Sequence, residues 1–439
     1  MQFSNGMKVF VERANMKVCI NDLAKVYILS IENEIEIDKT VYSNFRISPR
    51  SVNFLPRPTR WSKYWPKYRL LIKIAGFLLR IVWLLGGAAI LFILQAAKIK
   101  FKTCNNAHKK QLNNHNKKYL LAFSDRSVNI IPRTIPNIEL TIIKFPWRPL
   151  QNHLEAFDIC SLLKMSEITR AYYLALQSIY YFAMSKNGSW VLSTFNAFEW
   201  FCARFAIDKL DGDFYISEHY DRWAVLADSS IDMKNKSRIC NGKPEYAIHL
   251  IQHGSLRSFS GIDNDNFKLR LAYRLRHVRE LWVYDEYSRN IFLQQILEEA
   301  INEKEPVIKY FSPTIITEKK DSDGRFAILF VGHPASESIQ IYLYKKLVHD
   351  YNVKIFYKPH PCHDAGRVVQ SLDWEIVIDN EKFPSVDLIV SYPSTLVLEY
   401  NNIGTEAFVH PINPEESDYC NLWSKLKGII DMKYSFKNY

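Results

Sequence analysis

Short apolar runs that stop abruptly at polar residues or glycine recur along most of this 439-residue chain. Tyr119–Phe123 stops at Ser124-Asp125-Arg126-Ser127, Phe214–Ser217 at Glu218-His219-Tyr220-Asp221, and Ala247–Ile251 at Gln252-His253-Gly254. ELWV (280–283), FAILFV (326–331), VKIFY (353–357), WEIVID (374–379) and DLIV (387–390) repeat the pattern, with helix-period stretches between them. Continuous apolar runs of this length fit strands buried on both faces, and strand–helix alternation gives parallel sheets. A helix is expected from about Leu154 to Met184, a short apolar element at VLST (191–194), and a helix around Ala197–Ile207. Two such blocks flank a linker near Glu303–Thr314 that carries Pro306 and Pro313. The expected fold is therefore α/β, with two Rossmann-like domains, 119–305 and 306–439, facing a cleft. Residues 1–56 read as an N-terminal extension and 57–118 as a separate basic and apolar segment.

Composition narrows the class. At 48% apolar and 23% charged, the chain is neither disordered nor low-complexity. Its seven Cys include no CxxC pair, which argues against a zinc site or a disulfide framework and fits a reducing compartment. The first thirty residues contain acids and no apolar h-region, so no secretory signal is expected.

The net charge of +11 is local. Of the 57 Lys and Arg, 17 fall between Lys39 and Ser124, where there is no Asp or Glu; the remaining 40 face all 46 acidic residues. General nucleic-acid affinity would need basic surface elsewhere too, so no nucleic-acid partner is expected. Inside the basic stretch lies IVWLLGGAAILFILQAA (81–97), free of charge and about 26 Å long as a helix, against a hydrocarbon core of about 30 Å. Basic residues flank it on both sides, and Trp61, Tyr64, Trp65 and Tyr68 sit where interfacial aromatics sit. Charge on both flanks selects no single-pass orientation. It suits a segment that enters one leaflet and returns, held by anionic lipid. A spanning helix and a buried helix pair are the alternatives.

Ligands of open α/β sheets bind beyond the carboxyl ends of the strands. Three ends carry candidate chemistry: Gln252-His253-Gly254, Lys358-Pro359-His360-Pro361, and Ser391-Tyr392-Pro393-Ser394-Thr395 with Glu399 one helical turn later. Ser394 and Thr395 at a helix N-terminus favour a phosphate, to which Lys358 and His360 can add charge and a hydrogen-bond donor. Glu399 can accept from ribose hydroxyls. Gly332-His333-Pro334 can face the same cleft. Asp125, Glu218 and Asp221 join His253 as candidate bases on the first-domain side. Each of these elements also has a structural reading, as turn, cap or salt-bridged loop. Cys362-His363-Asp364 has no third ligand at metal spacing, so no metal is assigned.

The order HG, KPHP and Ser-Thr followed by Glu resembles the GT-B-fold glycosyltransferases that build bacterial surface polysaccharides. Within them it is most similar to sialyltransferases, polysialyltransferases and Kdo transferases, over residues 119–410. His360-Pro361 would be their HP motif and Ser394-Thr395 their hydroxyl pair, while Gln252-His253-Gly254 stands where those families have two acids and a glycine. His-Gly followed by KPHP also looks like the CDP-glycerol glycerophosphotransferases of teichoic-acid synthesis. The resemblance implies a CMP-linked sugar donor, inversion by single displacement without metal or other cofactor, and a lipid-linked glycan acceptor at the cytoplasmic face of the inner membrane. A phosphoalditol transferase with the same cradle and a noncatalytic GT-B scaffold are the alternatives.

Overall fold

The computed structural model describes residues 21–105, 118–147, 156–256, 269–299, 305–312, 315–319, 324–360, 365–379 and 382–437. Pro313, Pro361 and the first twenty residues lie outside them.

The first sheet is built from β1 (Lys118–Ala122), β2 (Thr141–Lys144), β3 (Phe157–Asp158), β4 (Asp213–Ile216), β5 (Ile248–Ile251), β6 (Val278–Val283) and β7 (Val307–Tyr310). Their order is β3-β2-β1-β4-β5-β6-β7, and every pairing is parallel. Leu120, Leu121, Ile248, Leu250 and Leu281 are fully buried, as a sheet covered on both faces requires. The second sheet contains β9 (Phe326–Val331), β10 (Val353–Lys358), β11 (Glu375–Ile376), β13 (Leu388–Ser391) and β14 (Glu406–Val409), in the parallel order β11-β10-β9-β13-β14. A small parallel pair, β8 (Ile316–Glu318) with β12 (Lys382–Pro384), flanks it. In each sheet the strand order reverses once, beside β1 in the first and beside β9 in the second.

Helices cover these sheets: α4 (Asp125–Thr134), α5 (Met165–Ala183), α6 (Ala197–Ile207), α7 (Arg222–Cys240) and α8 (Glu286–Ile291) in the first domain. In the second they are α9 (Glu337–Asp350), α10 (Thr395–Asn402) and α11 (Tyr419–Lys437). The carboxyl ends of β5 and β13 meet directly, because the Ser255 N–H donates to Thr395 Oγ1 at 2.9 Å. Two parallel α/β domains facing one another by their strand ends form the GT-B arrangement that the resemblance implies.

Four segments differ from the sequence expectation. β7 lies beyond residue 305 and pairs with β6, so the first sheet runs through Tyr310. It follows Pro306 and is half-exposed at the sheet edge, with Lys309 bonded to Glu280 at 2.8 Å, which gives no apolar run to read. VLST belongs to a 3₁₀ helix (Gly188–Asn196); the Thr194 hydroxyl donates to the Val191 carbonyl at 2.6 Å, a local bond that competes with sheet pairing. The helix expected from Leu154 begins at Met165, because Phe157-Asp158 pairs with β2. The extension is also no appendage. Residues Asp22–Asn44 form α1, which packs Ala24, Tyr27, Ile31 and Ile35 into the first-domain core. Asn33 fixes it: its amide donates to the Tyr220 and Tyr273 carbonyls, both at 2.9 Å, and accepts from the N–H groups of Ala272 and Tyr273 at 2.8 and 3.0 Å.

The basic apolar segment forms α2 (Trp65–Val82) and α3 (Ala88–Asn105), joined by a wide turn at Trp83–Gly87 that breaks at Gly86 (φ 115°). By length and composition, Pro58–Lys100 is long and apolar enough to cross a bilayer, and only 11% of its most apolar window is buried. Both limbs nevertheless touch the first domain, α2 through Trp65 and Ile72, which pack against its core. Ala88 and Phe92 are buried, Trp83 Nε1 donates to Thr194 Oγ1 at 3.1 Å, and Gln95 Nε2 donates to Glu199 at 3.1 Å. The opposite face exposes Leu70, Leu71, Phe77, Leu78, Leu85 and Leu94.

Candidate functional site at the facing strand ends

On the first-domain side, Ser124, Ser127 and Ser217 surround the Glu218 carboxylate. Ser124 Oγ donates to it at 2.9 Å and Ser127 Oγ at 3.1 Å, while the Ser127 and Ser217 hydroxyls lie 2.8 Å apart. Glu218 is 5% exposed. Burial, helped by the neighbouring Asp221 charge, pushes its carboxyl up to about 7. Asp221 itself caps α7, accepting from the N–H groups of Trp223 and Ala224 at 2.9 and 3.0 Å. Asp125 is exposed in the first turn of α4.

His253 projects from the end of β5 and is half-buried. Its Nδ1 pairs with the Ser217 carbonyl, so Nδ1 carries the proton and Nε2 is the accepting nitrogen. Its backbone N–H donates to His219 Nε2 at 3.0 Å, and the two rings lie 4.4 Å apart. Burial first, then the nearby Arg126 charge, lowers His253 to about 4, so the ring is neutral at neutral pH. His219, buried beside it, is lowered as well. Gln252 is a brace: its Nε2 donates to Ser288 Oγ at 3.0 Å and to the Gly254 carbonyl at 3.1 Å, and its Oε1 accepts from the Tyr284 N–H at 2.9 Å. The turn it supports needs Gly254 at φ 77°, a conformation that costs other residues energy.

Across the cleft, Gly332 follows β9 so closely packed that a Cβ there would lie 2.0 Å from the Tyr357 hydroxyl. His333 comes next. Its Nδ1 accepts from the Ala335 N–H at 3.1 Å, which places the proton of the neutral ring on Nε2. Its ring lies 5.3 Å from that of His360 and 5.2 Å from that of Tyr392. Ser394 is the N-cap of α10 but makes no side-chain capping bond; its hydroxyl lies 3.0 Å from Ser391 Oγ, which donates to the Tyr392 carbonyl at 2.6 Å. Thr395 is engaged by Ser255. Burial pushes Glu399 up to about 7, and its charge adds to burial in raising the Tyr284 phenol.

The structure thus seats Thr395 against the Gly254-Ser255 turn that follows His253, with the Glu399 charge acting on Tyr284, and it gathers His333, His360, Ser391 and Ser394 at the second-domain switch point. Lys358 stands apart. It is 4% exposed, and its Nζ donates to the carbonyls of Val377, Ile378 and Asp379 at 3.3, 3.4 and 2.9 Å. The expected phosphate contact from Lys358 therefore meets a geometric obstacle, because its ammonium is spent on backbone. His219, Tyr284 and Arg126 also stand at the ends of apolar runs, but no motif in the sequence marks them as site residues. Among the described residues, no three His, Cys, Asp or Glu side chains are grouped to hold a metal ion.

No protein-family model and no curated protein matches the sequence. Among solved structures, MurG of Acinetobacter baumannii aligns over 72% of this chain and 83% of its own, at 11% identity and a TM-score of 0.30. A score that low leaves the architecture to be argued from the strand orders themselves.

Proposed function

We propose that this chain is a membrane-attached, inverting glycosyltransferase that moves a sugar from a nucleotide donor onto a lipid-linked surface glycan. The observation that carries this reading is the meeting of two unlike strand-end clusters. One offers proton acceptors, the other imidazole N–H, hydroxyls and the free N–H groups of a helix start, which suit a phosphate. In the proposed step the acceptor hydroxyl oxygen bonds to the anomeric carbon as the bond from that carbon to the phosphate oxygen breaks. The electron pair leaves with the nucleotide, whose charge meets His333 Nε2–H, His360 and Ser394. The proton passes to Glu218, which sits near the optimum for a base at neutral pH, while His253 Nε2 accepts a hydrogen bond from the acceptor sugar. The base role goes to Glu218 and not to His253 because a ring lowered to about 4 binds a proton too weakly, whereas a carboxyl near 7 matches neutral pH. These residues meet the phosphate charge without calling on a metal or other cofactor.

A CMP-activated sialic-acid- or Kdo-type sugar is the donor suggested by the resemblance. Attachment to the cytoplasmic face of the inner membrane through anionic lipid is supported by the basic flanks and by the exposed apolar face of α2 and α3. Because both limbs of that segment also pack on the first domain, a monotopic seat is favoured over spanning. The test is transfer from a panel of nucleotide sugars and CDP-alditols to a lipid-linked acceptor. Turnover with a nucleotide sugar supports this reading. Turnover with a CDP-alditol alone selects the phosphotransferase, and nucleotide binding without turnover selects a scaffold.

A further inference from the structure

All four non-glycine residues with positive φ among the described residues lie in one short strap: Arg46 (53°), Asn53 (53°), Phe54 (54°) and Arg57 (55°). Only asparagine among these types tolerates that conformation well. Strained backbone persists where its surroundings over-determine it, and it clusters at clamps and switches. This strap leaves the end of α1 and leads into the basic apolar segment.

Its two ends are anchored differently. α1 belongs to the first domain through Asn33 and its buried apolar face. The corner at the end of α1 reaches the second domain just beyond β14. Asn413 Nδ2 donates to the Asn44 carbonyl at 2.7 Å, and Arg46 Nη2 donates to the Asn413 carbonyl at 3.2 Å. Between these bonds, the Phe45 ring packs on His333 with centroids 5.8 Å apart. The far side of the strap is pinned to α1, since the Arg57 N–H donates to Asp38 at 3.1 Å and the Tyr42 hydroxyl to the Leu55 carbonyl at 2.6 Å. A piece of the first domain thereby touches the imidazole that opens the phosphate cradle of the second.

We infer that the corner Asn44-Phe45-Arg46 is an interdomain clamp in which Phe45 is a positioning residue, holding His333 toward the donor phosphate. The clamp sets the separation of the domains, and with the Ser255–Thr395 bond it fixes the cleft on two sides. Its chemical consequence rests on the glycosyltransferase reading; its mechanical consequence does not.

The experiment uses the full chain and its own cysteines. Cys240 on α7 and Cys420 on α11 are exposed and free, one in each domain, whereas Cys160 and Cys202 are buried. With Cys19, Cys104 and Cys362 replaced by serine, spin labels at Cys240 and Cys420 report the interdomain distance by pulsed electron resonance. The parent gives one narrow distribution. Phe45→Ala and Asn413→Ala broaden or shift it while circular dichroism stays native, and Phe45→Tyr restores the parent distribution. In transfer assays, Phe45→Ala raises KM for the nucleotide donor about 2- to 10-fold, the range of one interaction of this size, with acceptor KM unchanged and Phe45→Tyr near the parent. A double Phe45→Ala/Asn413→Ala variant whose distance distribution superimposes on the parent overturns the clamp. Unchanged donor KM in Phe45→Ala overturns the positioning role. Broadened distances in a protein that transfers no sugar support the clamp and count against the functional reading alone.

Discussion

The Ser255 N–H and Thr395 Oγ1, separated by 140 positions in the chain, lie 2.9 Å apart and join the two strand-end clusters. The bond ties the turn after β5 to the first residue of α10. Thr395 therefore faces the other domain, and in the proposed function Ser394 beside it is the hydroxyl assigned to the phosphate. Thr395→Val keeps the shape and removes the acceptor of the Ser255 N–H. A neutral hydrogen bond contributes about 0.5–1.5 kcal/mol, so turnover should fall about 2- to 10-fold, with Thr395→Ser near wild type. Steady-state kinetics on the three proteins decide it, and a fully active valine variant would show that the contact is incidental.

Why the strand ends were legible and their division of labour was not follows from what each signal measures. Fully buried strands such as β5 and β9 must be continuous apolar runs, so FAILFV and AIHLI mark themselves. β7 and β14 sit at sheet edges, where polar residues such as Lys309 and Glu406 are allowed, and they leave no such mark. The same holds for side chains. A lysine before Pro-His-Pro reads as a phosphate ligand because sequence shows its charge and not the direction of its stem. The three carbonyls that bind Lys358 belong to residues 377–379, a loop whose approach to β10 is a property of the folded sheet. Asp221 looks like a base until α7 is seen to begin on it. Phe45 had no signal at all, since its partner His333 lies in the other domain.

Lys358 and His333 should separate cleanly by mutation. Lys358→Met removes three backbone contacts and should lower the melting temperature, while nucleotide affinity stays within a few-fold of wild type. His333→Ala should do the reverse, weakening nucleotide binding by about 10-fold or more, since hydrogen bonds to charged groups contribute about 1.5–3 kcal/mol. Titration calorimetry with CMP and a thermal melt measure both. Loss of nucleotide binding in Lys358→Met without loss of stability would return the lysine to the phosphate.

Glu218 makes a prediction about pH. If it accepts the acceptor proton, kcat/KM should rise with pH through an apparent pKa near its folded value of about 7 and then level off. Glu218→Gln should lose that limb and about 10²–10⁴-fold in rate, whereas His253→Asn should raise acceptor KM with the limb intact. Stability should move the other way. A carboxyl raised from its ordinary value of 4.5 to about 7 binds more protons folded than unfolded, so its contribution is full below 4.5 and is lost as pH rises through 7. Glu218→Gln should therefore melt higher than wild type at pH 8 and lose that advantage near pH 4. A rate limb that survives Glu218→Gln would move the base elsewhere.

Membrane attachment has to be tested by substitution, because deleting residues 57–118 would uncover core. Phe92 is fully buried and Trp83 is bonded to Thr194, so a truncated protein that failed would say nothing about lipid. Leu78, Leu85 and Leu94 are 53%, 82% and 63% exposed, and changing them leaves the packed face untouched. Burying a leucine side chain is worth about 1.5–3 kcal/mol, so Leu78→Asp/Leu85→Asp/Leu94→Asp should abolish flotation with vesicles containing anionic lipid, while circular dichroism and nucleotide binding persist. Raising salt on the wild-type protein should release only part of it, because salt screens the basic flanks and leaves apolar burial untouched. The same triple variant should keep activity on a soluble acceptor and lose it on a lipid-linked one. Full flotation of the triple variant, or complete release of wild type by salt alone, would assign attachment to charge and leave the apolar face of α2 and α3 without a role at the membrane.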